Sequence, residues 1–157
     1  MKKKLFRIAA IIAVAGLLIG GGIMLYMFNM PHRDIQSAKT DYSLTSTQIV
    51  LEYLSDRDAA NEKYLASDGN SKILEVTGII SKISENFNSQ KVVLLKSNED
   101  KAGVTAVFTT ETNPSVSNLN VGETITVKGV IRSGASYDDD LELYENVILE
   151  KSDIVRN

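Results

Sequence analysis

The sequence predicts a mainly β domain, a small five-stranded barrel that begins with a helix and is preceded by a single transmembrane helix. Three observations lead to this prediction. An uninterrupted apolar run lies near the N-terminus, one stretch of helical periodicity follows it, and the rest of the chain alternates apolar and polar residues in short segments. Helices do not alternate with these strands, which argues against a parallel sheet with crossover helices.

Charge also divides the chain into two parts. Up to residue 44, six basic side chains stand against two acidic ones, a net charge of +4, whereas the remainder carries eleven basic and eighteen acidic side chains, a net charge of −7. Lysine and arginine supply most of the affinity of proteins for phosphate backbones. The acidic body therefore argues against nucleic acid as its partner.

Composition excludes several kinds of chemistry. The chain has 157 residues, no cysteine and one histidine, His32. These counts exclude a disulfide framework, thiol catalysis and a metal centre built from cysteines or several histidines. No nucleophile motif is recognisable, and His32 and Asp34 lie in a linker where no pocket positions them for acid–base catalysis. We therefore expect no enzyme activity and no cofactor.

The N-terminal part has the pattern of a membrane anchor, with residues 1–7 as a basic cytoplasmic tail and residues 8–28 as the span. This run of 21 uncharged residues, at about 1.5 Å per residue in a helix, crosses a hydrocarbon core about 30 Å thick. The preceding basic residues favour a cytoplasmic N-terminus and a domain outside the cytoplasm. Gly16 and Gly20 form a small-xxx-small pair through which two such helices can dimerise, although glycine is also simply frequent in membrane helices.

A cleaved signal peptide is the alternative to an anchor. Ala13-Val14-Ala15 offers a cleavage pattern, but the apolar core of a signal peptide spans about 7–15 residues and ends near its cleavage site. Here the apolar run continues to Phe28. The sequence therefore favours an uncleaved signal anchor.

Residues 29–44 are interpreted as a juxtamembrane linker, since Pro31 blocks continuation of the first helix. Thr45 with Gln48 three residues later has the pattern of a capping box, and apolar residues at helical spacing follow. We predict one helix from Thr45 to Leu65, ended by the turn signal Asp68-Gly69-Asn70.

Beyond Lys72 the periodicity changes from helical to alternating. The predicted strands run from Leu74 to Ile83, Lys91 to Lys96, Val104 to Phe108, Gly122 to Ile131 and Leu141 to Leu149. The second is too continuously apolar for an exposed edge, and Phe108 of the third points inward. Gly78 and Gly129 interrupt long strands and predict bulges.

The fifth strand is predicted to turn four apolar side chains to one side, those of Leu141, Leu143, Val147 and Leu149. The number and order of strands suit a five-stranded Greek-key barrel of the OB type, which with its helix occupies residues 45–157.

Several segments are similar to those of a known family. They are Ala60-Asn61-Glu62-Lys63-Tyr64, the strand Ile73-Leu74-Glu75-Val76-Thr77-Gly78-Ile79-Ile80, the strand Gly122-Glu123-Thr124-Ile125-Thr126-Val127-Lys128-Gly129, and the juxtamembrane Asn29-Met30-Pro31-His32-Arg33-Asp34. The chain resembles the tRNA-anticodon-binding-like OB family of membrane-anchored bacterial proteins. The resemblance implies an OB barrel at the bacterial inner membrane and, by analogy, nucleic-acid binding. Relatives often carry cysteines, and this chain has none.

Two loops, residues 84–90 and 133–140, are expected to bound a ligand groove. The candidate ligand-binding residues are Asn86, Phe87 and Asn88 in the first loop, and Tyr137, Asp138, Asp139 and Asp140 in the second. Single-strand binders of this fold combine a basic groove with aromatic platforms, which these loops do not offer. The contiguous aspartates lack EF-hand spacing and leave three interpretations: a solvated loop, a weak calcium site or a contact for a basic partner.

These observations favour a non-catalytic, membrane-anchored OB module in the periplasm or at the cell surface, with a protein segment or an oligosaccharide as ligand. Two alternatives stay open. The protein can be a scaffold that oligomerises through its helices, or a single-stranded nucleic-acid binder by analogy of fold.

Overall fold

A computed structural model describes residues 2–28 and 34–156 of the chain. These residues divide into two units, one that ends at Asp34 and one that starts at Ile35. The first unit holds α1 (Lys2–Phe28), a continuous helix that extends the predicted span into the basic tail. In the part of the chain that the structure describes, no helix combines the length and the mean hydropathy of a membrane span. His32 lies outside the described residues.

The second unit begins inside the predicted linker. Ile35 is buried, and the side-chain amide of Gln36 donates hydrogen bonds to the carbonyls of Lys128 and Lys151 at 3.1 and 2.9 Å. The Lys128 ammonium in turn donates to the carbonyls of Gln36 and Ala38 at 3.1 and 2.6 Å. We call residues 35–41 the N-terminal strap. It leads into β1 (Tyr42–Thr45), which pairs parallel to the first barrel strand.

Two helices follow where one was predicted, α2 (Ser46–Ser55) and α3 (Arg57–Tyr64). The capping box is confirmed: the Thr45 hydroxyl accepts from the Gln48 backbone at 3.2 Å, and the Gln48 side chain accepts from the Thr45 N–H at 2.8 Å. The single helix from Thr45 to Leu65 is wrong. Asp56 has extended backbone, and its carboxylate accepts from the Ala59 N–H at 3.0 Å, so it ends α2 and caps α3.

A polar cluster on the surface holds the two helices together. The Lys63 ammonium and the Tyr64 hydroxyl each donate to a carboxylate oxygen of Glu52 at 2.8 Å. The ammonium also lies 4.7 Å from the centre of the Tyr64 ring. The hydrogen bond from Lys63 lowers the pKa of Glu52, and the same bond raises the pKa of Lys63.

Five strands form the barrel. They are β2 (Ile73–Glu85), β3 (Lys91–Leu95), β4 (Val104–Phe108), β5 (Thr124–Ser133) and β8 (Val147–Ile154). Their order in the sheet is β2-β3-β4-β8-β5. The last strand, β5, also pairs with the first, β2, and this pairing closes the barrel. β4 and β8 run parallel, and the other neighbouring pairs run antiparallel. This arrangement confirms the predicted five-stranded barrel of the OB type.

Three short elements lie between barrel strands: a 3₁₀ helix (Asn113–Val116) before β5, and the hairpin strands β6 (Ser136–Asp138) and β7 (Leu143–Glu145) before β8. The hairpin forms a separate two-stranded sheet. The predicted fifth strand is therefore wrong at its start. Leu141 and Leu143 are exposed rather than inward, because the Asp138 carboxylate accepts from the backbone N–H groups of Asp140 and Leu141 and reverses the chain there.

The alternating apolar side chains of the other strands are buried, with Ile125 only partly so. They include Val104, Ala106, Phe108, Val127, Ile131, Val147 and Leu149, and the second strand also buries Val93 and Leu95. β3 lies between β2 and β4, as its apolar sequence predicts. The register shift between Lys128 and Val130 confirms the bulge at Gly129.

The predicted bulge at Gly78 is misplaced, because the register of β2 shifts between Ile80 and Lys82. Gly78 instead permits a close approach of α2. A Cβ at this position would lie 2.6 Å from the Ser46 Oγ.

Gly134→Ala tests the packing of α2 on the barrel. A Cβ at Gly134 would lie 1.9 Å from Cε1 of the buried Tyr53 ring, so the substitution must displace that ring. We expect a loss of about 1–3 kcal/mol in the free energy of unfolding, measured by urea titration of the full chain. In a Tyr53→Ala background the added methyl group has room, and the same cost in both backgrounds would contradict this account.

Glu52→Gln tests the cluster between α2 and α3. The pKa of Glu52 is lowered from its ordinary value of 4.5. The ionised carboxylate therefore stabilises the fold at pH values above 4.5, and this contribution is lost as the pH falls through the folded-state pKa. Between about pH 7 and about pH 3 the parent chain should lose more stability than Glu52→Gln. We expect a difference of less than about 1 kcal/mol, since both partners are 38% exposed. Urea titrations with equal losses would refute it.

Candidate functional site

The two predicted groove loops lie at opposite ends of β4. The turn of residues 86–90 precedes Val92, which pairs with Val107 near the end of β4. The β6–β7 hairpin precedes Val147, which pairs with Val104 at the start of β4. At about 3.3 Å per residue, β4 separates the loops by about 13 Å. The structure therefore does not bring the predicted residues of the two loops into one cluster.

Within the first loop, the asparagine that was predicted to bind ligand is used by the turn itself. The side-chain Oδ1 of Asn86 accepts from the backbone N–H groups of Asn88 and Gln90, both at 3.0 Å, and its side-chain Nδ2 donates to the Gln90 side chain. Asn88 is exposed. Phe87 is fully exposed at the tip of the turn, so it remains available for a partner.

Within the hairpin, the three aspartates have different roles. Asp138 is occupied by the turn that it stabilises, and Asp139 and Asp140 are exposed. Among the residues that the structure describes, no group of three or more histidine, aspartate or glutamate side chains converges on a point where a metal ion could bind.

Tyr137 is paired rather than isolated. It lies opposite Tyr144 in the hairpin, and the ring centres are 4.8 Å apart with an angle of 54° between the ring planes. The Lys101 ammonium lies 5.6 Å from the centre of the Tyr144 ring. Tyr137 remains 47% exposed, so this aromatic pair presents one of its rings to solvent.

A cavity of about 400 Å³ opens beside this pair, between α2, α3 and the hairpin. The side chains that matter for its chemistry are Tyr53, Arg57, Lys101, Ser136, Tyr137 and Tyr144. We call it the tyrosine cavity. Sequence reasoning found Tyr137 alone, because the other residues come from separate segments. A hairpin that places Tyr144 opposite Tyr137 was the one signal in the sequence that could have identified a second residue of this cavity.

Tyr53 and two cationic residues, Arg57 and Lys101, are among the residues that line the tyrosine cavity. The Tyr53 hydroxyl is buried and has no hydrogen-bond partner among the described residues. Burial raises the pKa of Tyr53 to about 12, with Tyr64 and Glu52 adding to the rise and Arg57 opposing it. In the described part of the chain, neither Arg57 nor Lys101 forms an ion pair with a carboxylate.

The outer surface of β3 and β4 is a second candidate surface. Its side chains are those of Val92, Leu94, Thr105 and Val107, all partly buried. We call it the sheet face. It carries no charge and no aromatic ring, so it lacks both elements that single-strand binders of this fold use.

The predicted helix contact through Gly16 and Gly20 lies on α1. Apart from the chain neighbours and the backbone of α1 itself, no described atom lies within 4 Å of a Cβ built at either glycine. Dimerisation through this face stays a prediction.

Comparison with solved structures shows the fold. A crystal structure of a proposed nucleic acid-binding lipoprotein from Klebsiella pneumoniae subsp. pneumoniae MGH 78578 matches with a TM-score of 0.53 and 18% identity, covering 81% of this chain and 100% of that one. The yeast Stn1 and Ten1 structure matches with a TM-score of 0.36 and 15% identity, over 79% of this chain and 66% of that one. No curated protein matches the chain.

A family model decides the membership that the sequence motifs suggested. The tRNA_anti-like model matches residues 1–142, which include α1, the N-terminal strap, both short helices and most of the barrel. The chain therefore belongs to the tRNA_anti-like family.

Proposed function

We propose that the protein is a non-enzymatic binding module, held at a bacterial inner membrane by its N-terminal segment, that binds a segment of another protein across the sheet face. The observation that carries this proposal is the arrangement around β4. An uncharged, largely aliphatic surface lies between two loops, and each loop presents an exposed aromatic side chain, Phe87 at one end and Tyr137 at the other.

The chemistry of the sheet face favours a protein segment over an oligosaccharide. The hydroxyl groups of a sugar chain need hydrogen-bond partners when they leave water. Of the four side chains of the sheet face, Thr105 alone offers a hydroxyl, and Val92, Leu94 and Val107 are aliphatic. Apolar side chains of a peptide would lose water against such a surface without leaving polar groups unpaired.

We propose that the protein has no enzyme activity, and the argument comes from the chemistry of its described titratable groups. Contacts among Glu52, Lys63 and Tyr64 hold α2 to α3. The hydrogen bond from Lys63 to Glu52 lowers the pKa of Glu52 and raises that of Lys63, and burial raises the pKa of Tyr64. General acid–base catalysis needs a positioned group whose pKa lies near the working pH. Tyr53, with its raised pKa of about 12, does not meet that requirement.

The membrane location rests on the N-terminal segment. The 21 uncharged residues from Ile8 to Phe28 lie within one continuous helix, α1, and basic residues precede them. A helix satisfies its own backbone hydrogen bonds in lipid, and the basic flank favours a cytoplasmic N-terminus. The domain would then face the periplasm or the cell exterior.

Nucleic-acid binding is the second candidate function. The matched Klebsiella pneumoniae structure is described as a proposed nucleic acid-binding lipoprotein, and the family carries a tRNA-related name. The tyrosine cavity supports this candidate locally, since it combines two rings with Arg57 and Lys101. The net charge of −7 beyond residue 44 opposes the binding of a long strand.

A photo-crosslinking experiment tests the sheet face. A photoreactive amino acid at Leu94 of the full-length, membrane-bound chain should form an adduct with a protein. Val107→Lys should reduce this adduct about tenfold, because a lysine ammonium loses water when the partner covers it. Thr124→Lys adds the same charge at an exposed position of β5 and should leave the adduct unchanged. Equal adducts in both variants, or an adduct sensitive to nuclease, would overturn the proposal.

Protease protection tests the location. In sealed spheroplasts with the cytoplasmic membrane intact, an added protease should digest the domain from Ile35 onward and leave a short N-terminal fragment that contains α1. Immunoblotting with tags at both ends distinguishes the fragments. A fully protected chain, or a mature N-terminus just after Ala15, would contradict the proposed anchor.

A further inference from the structure

We infer that the tyrosine cavity is a second binding site, for a phosphate monoester carried on a ring such as a sugar or a nucleoside. The cavity lies at the hairpin end of the barrel between α2, α3 and β6–β7, and its residues are separate from those of the sheet face. The inference therefore does not depend on the proposed function.

The first argument is the unpartnered hydroxyl of Tyr53. The residue is 2% exposed, and its Oη has no hydrogen-bond partner among the described residues. Buried polar groups almost always have a partner, so such an atom needs an explanation. Phenylalanine would fill the same space in α2 without this cost. A hydroxyl that donates to a bound oxygen supplies the missing partner.

The second argument is charge. Arg57 and Lys101 both line the cavity, and no described carboxylate forms an ion pair with either. Glu145 of the hairpin accepts a hydrogen bond from the Ser136 hydroxyl and lines a neighbouring cavity that Arg57 also borders. Both side chains are exposed, and both carry their positive charge beside the two tyrosines of the hairpin. A phosphate monoester, with a charge of about −1.5 to −2, matches them.

The third argument is the aromatic wall. Tyr137 and Tyr144 stand side by side with their ring centres 4.8 Å apart, and Lys101 lies over the Tyr144 ring. Their faces provide an apolar surface for a ring, while arginine binds phosphate oxygens through two parallel N–H groups. The volume of about 400 Å³ falls in the range of small-molecule sites.

Binding to the purified full-length chain in detergent tests this site by calorimetry. The probes are glucose 6-phosphate, adenosine 5′-monophosphate, inorganic phosphate and glucuronate. We expect at least one of the two ring phosphates to bind about tenfold more tightly than inorganic phosphate. The preferred ring identifies the source of the phosphate. Equal binding of inorganic phosphate, tighter binding of glucuronate, or no binding of either ring phosphate at about 10 mM would overturn the inference.

Three variants and one control locate the site. Arg57→Gln and Lys101→Gln should each weaken ring-phosphate binding about tenfold. Tyr53→Phe should weaken it severalfold while the urea midpoint of unfolding stays equal or rises, because the unpartnered hydroxyl is removed. A purely structural tyrosine would show the opposite pattern, a lower midpoint with unchanged binding, and that result would refute the inference. Arg132→Gln removes an exposed cation outside the cavity and should change nothing.

These measurements use soluble probes and no protein partner. Loss of the photo-crosslink at the sheet face would therefore leave ring-phosphate binding intact, and failure of the cavity would leave the photo-crosslink intact.

Discussion

Closure of the barrel by one long strand is the constraint on which the rest of the structure depends. β2 pairs with β5 over Ile73–Ile79 and with β3 from Ile80 onward, and the register with β3 shifts between Ile80 and Lys82, just after the partner changes. Without that change the sheet would stay open, and Val76, Ile80 and Val127 could not share one core. Closure also fixes the ends of β4, and with them the positions of the two loops on either side of the sheet face. The two proposed binding surfaces therefore depend on the point at which β2 changes its pairing partner, although β2 contributes no residue to either surface.

The periodicity of the sequence was enough to predict the barrel strands, since burial on one side imposes alternation on every strand. Phe108 is a clear case, because its inward position follows from its spacing to Val104 and Ala106 and is observed. The break at Asp56 and the reversal at Asp138 were not predicted. Each depends on one carboxylate that accepts hydrogen bonds from nearby backbone N–H groups, and many aspartates in loops make no such bonds.

The residues of the candidate sites were likewise predictable from the sequence only in part. Phe87 and Tyr137 could be found from the sequence, because each is an aromatic residue in a polar loop. The partners of Tyr137 could not, since Arg57 belongs to α3 and Lys101 to the connection between β3 and β4. Only the folded chain brings these segments to one cavity, and no local pattern distinguishes Arg57 from an ordinary cation on the surface of a helix.

The N-terminal strap has a mechanical consequence. A force that reaches the second unit along the chain from its N-terminal side acts first on Ile35 and on the paired hydrogen bonds between Gln36 and Lys128. These contacts end on Lys128 of β5 and Lys151 of β8, so such a force passes through them directly into two strands of the barrel. The strap therefore attaches the chain to three barrel strands, through its side-chain bonds to β5 and β8 and through the pairing of β1 with β2.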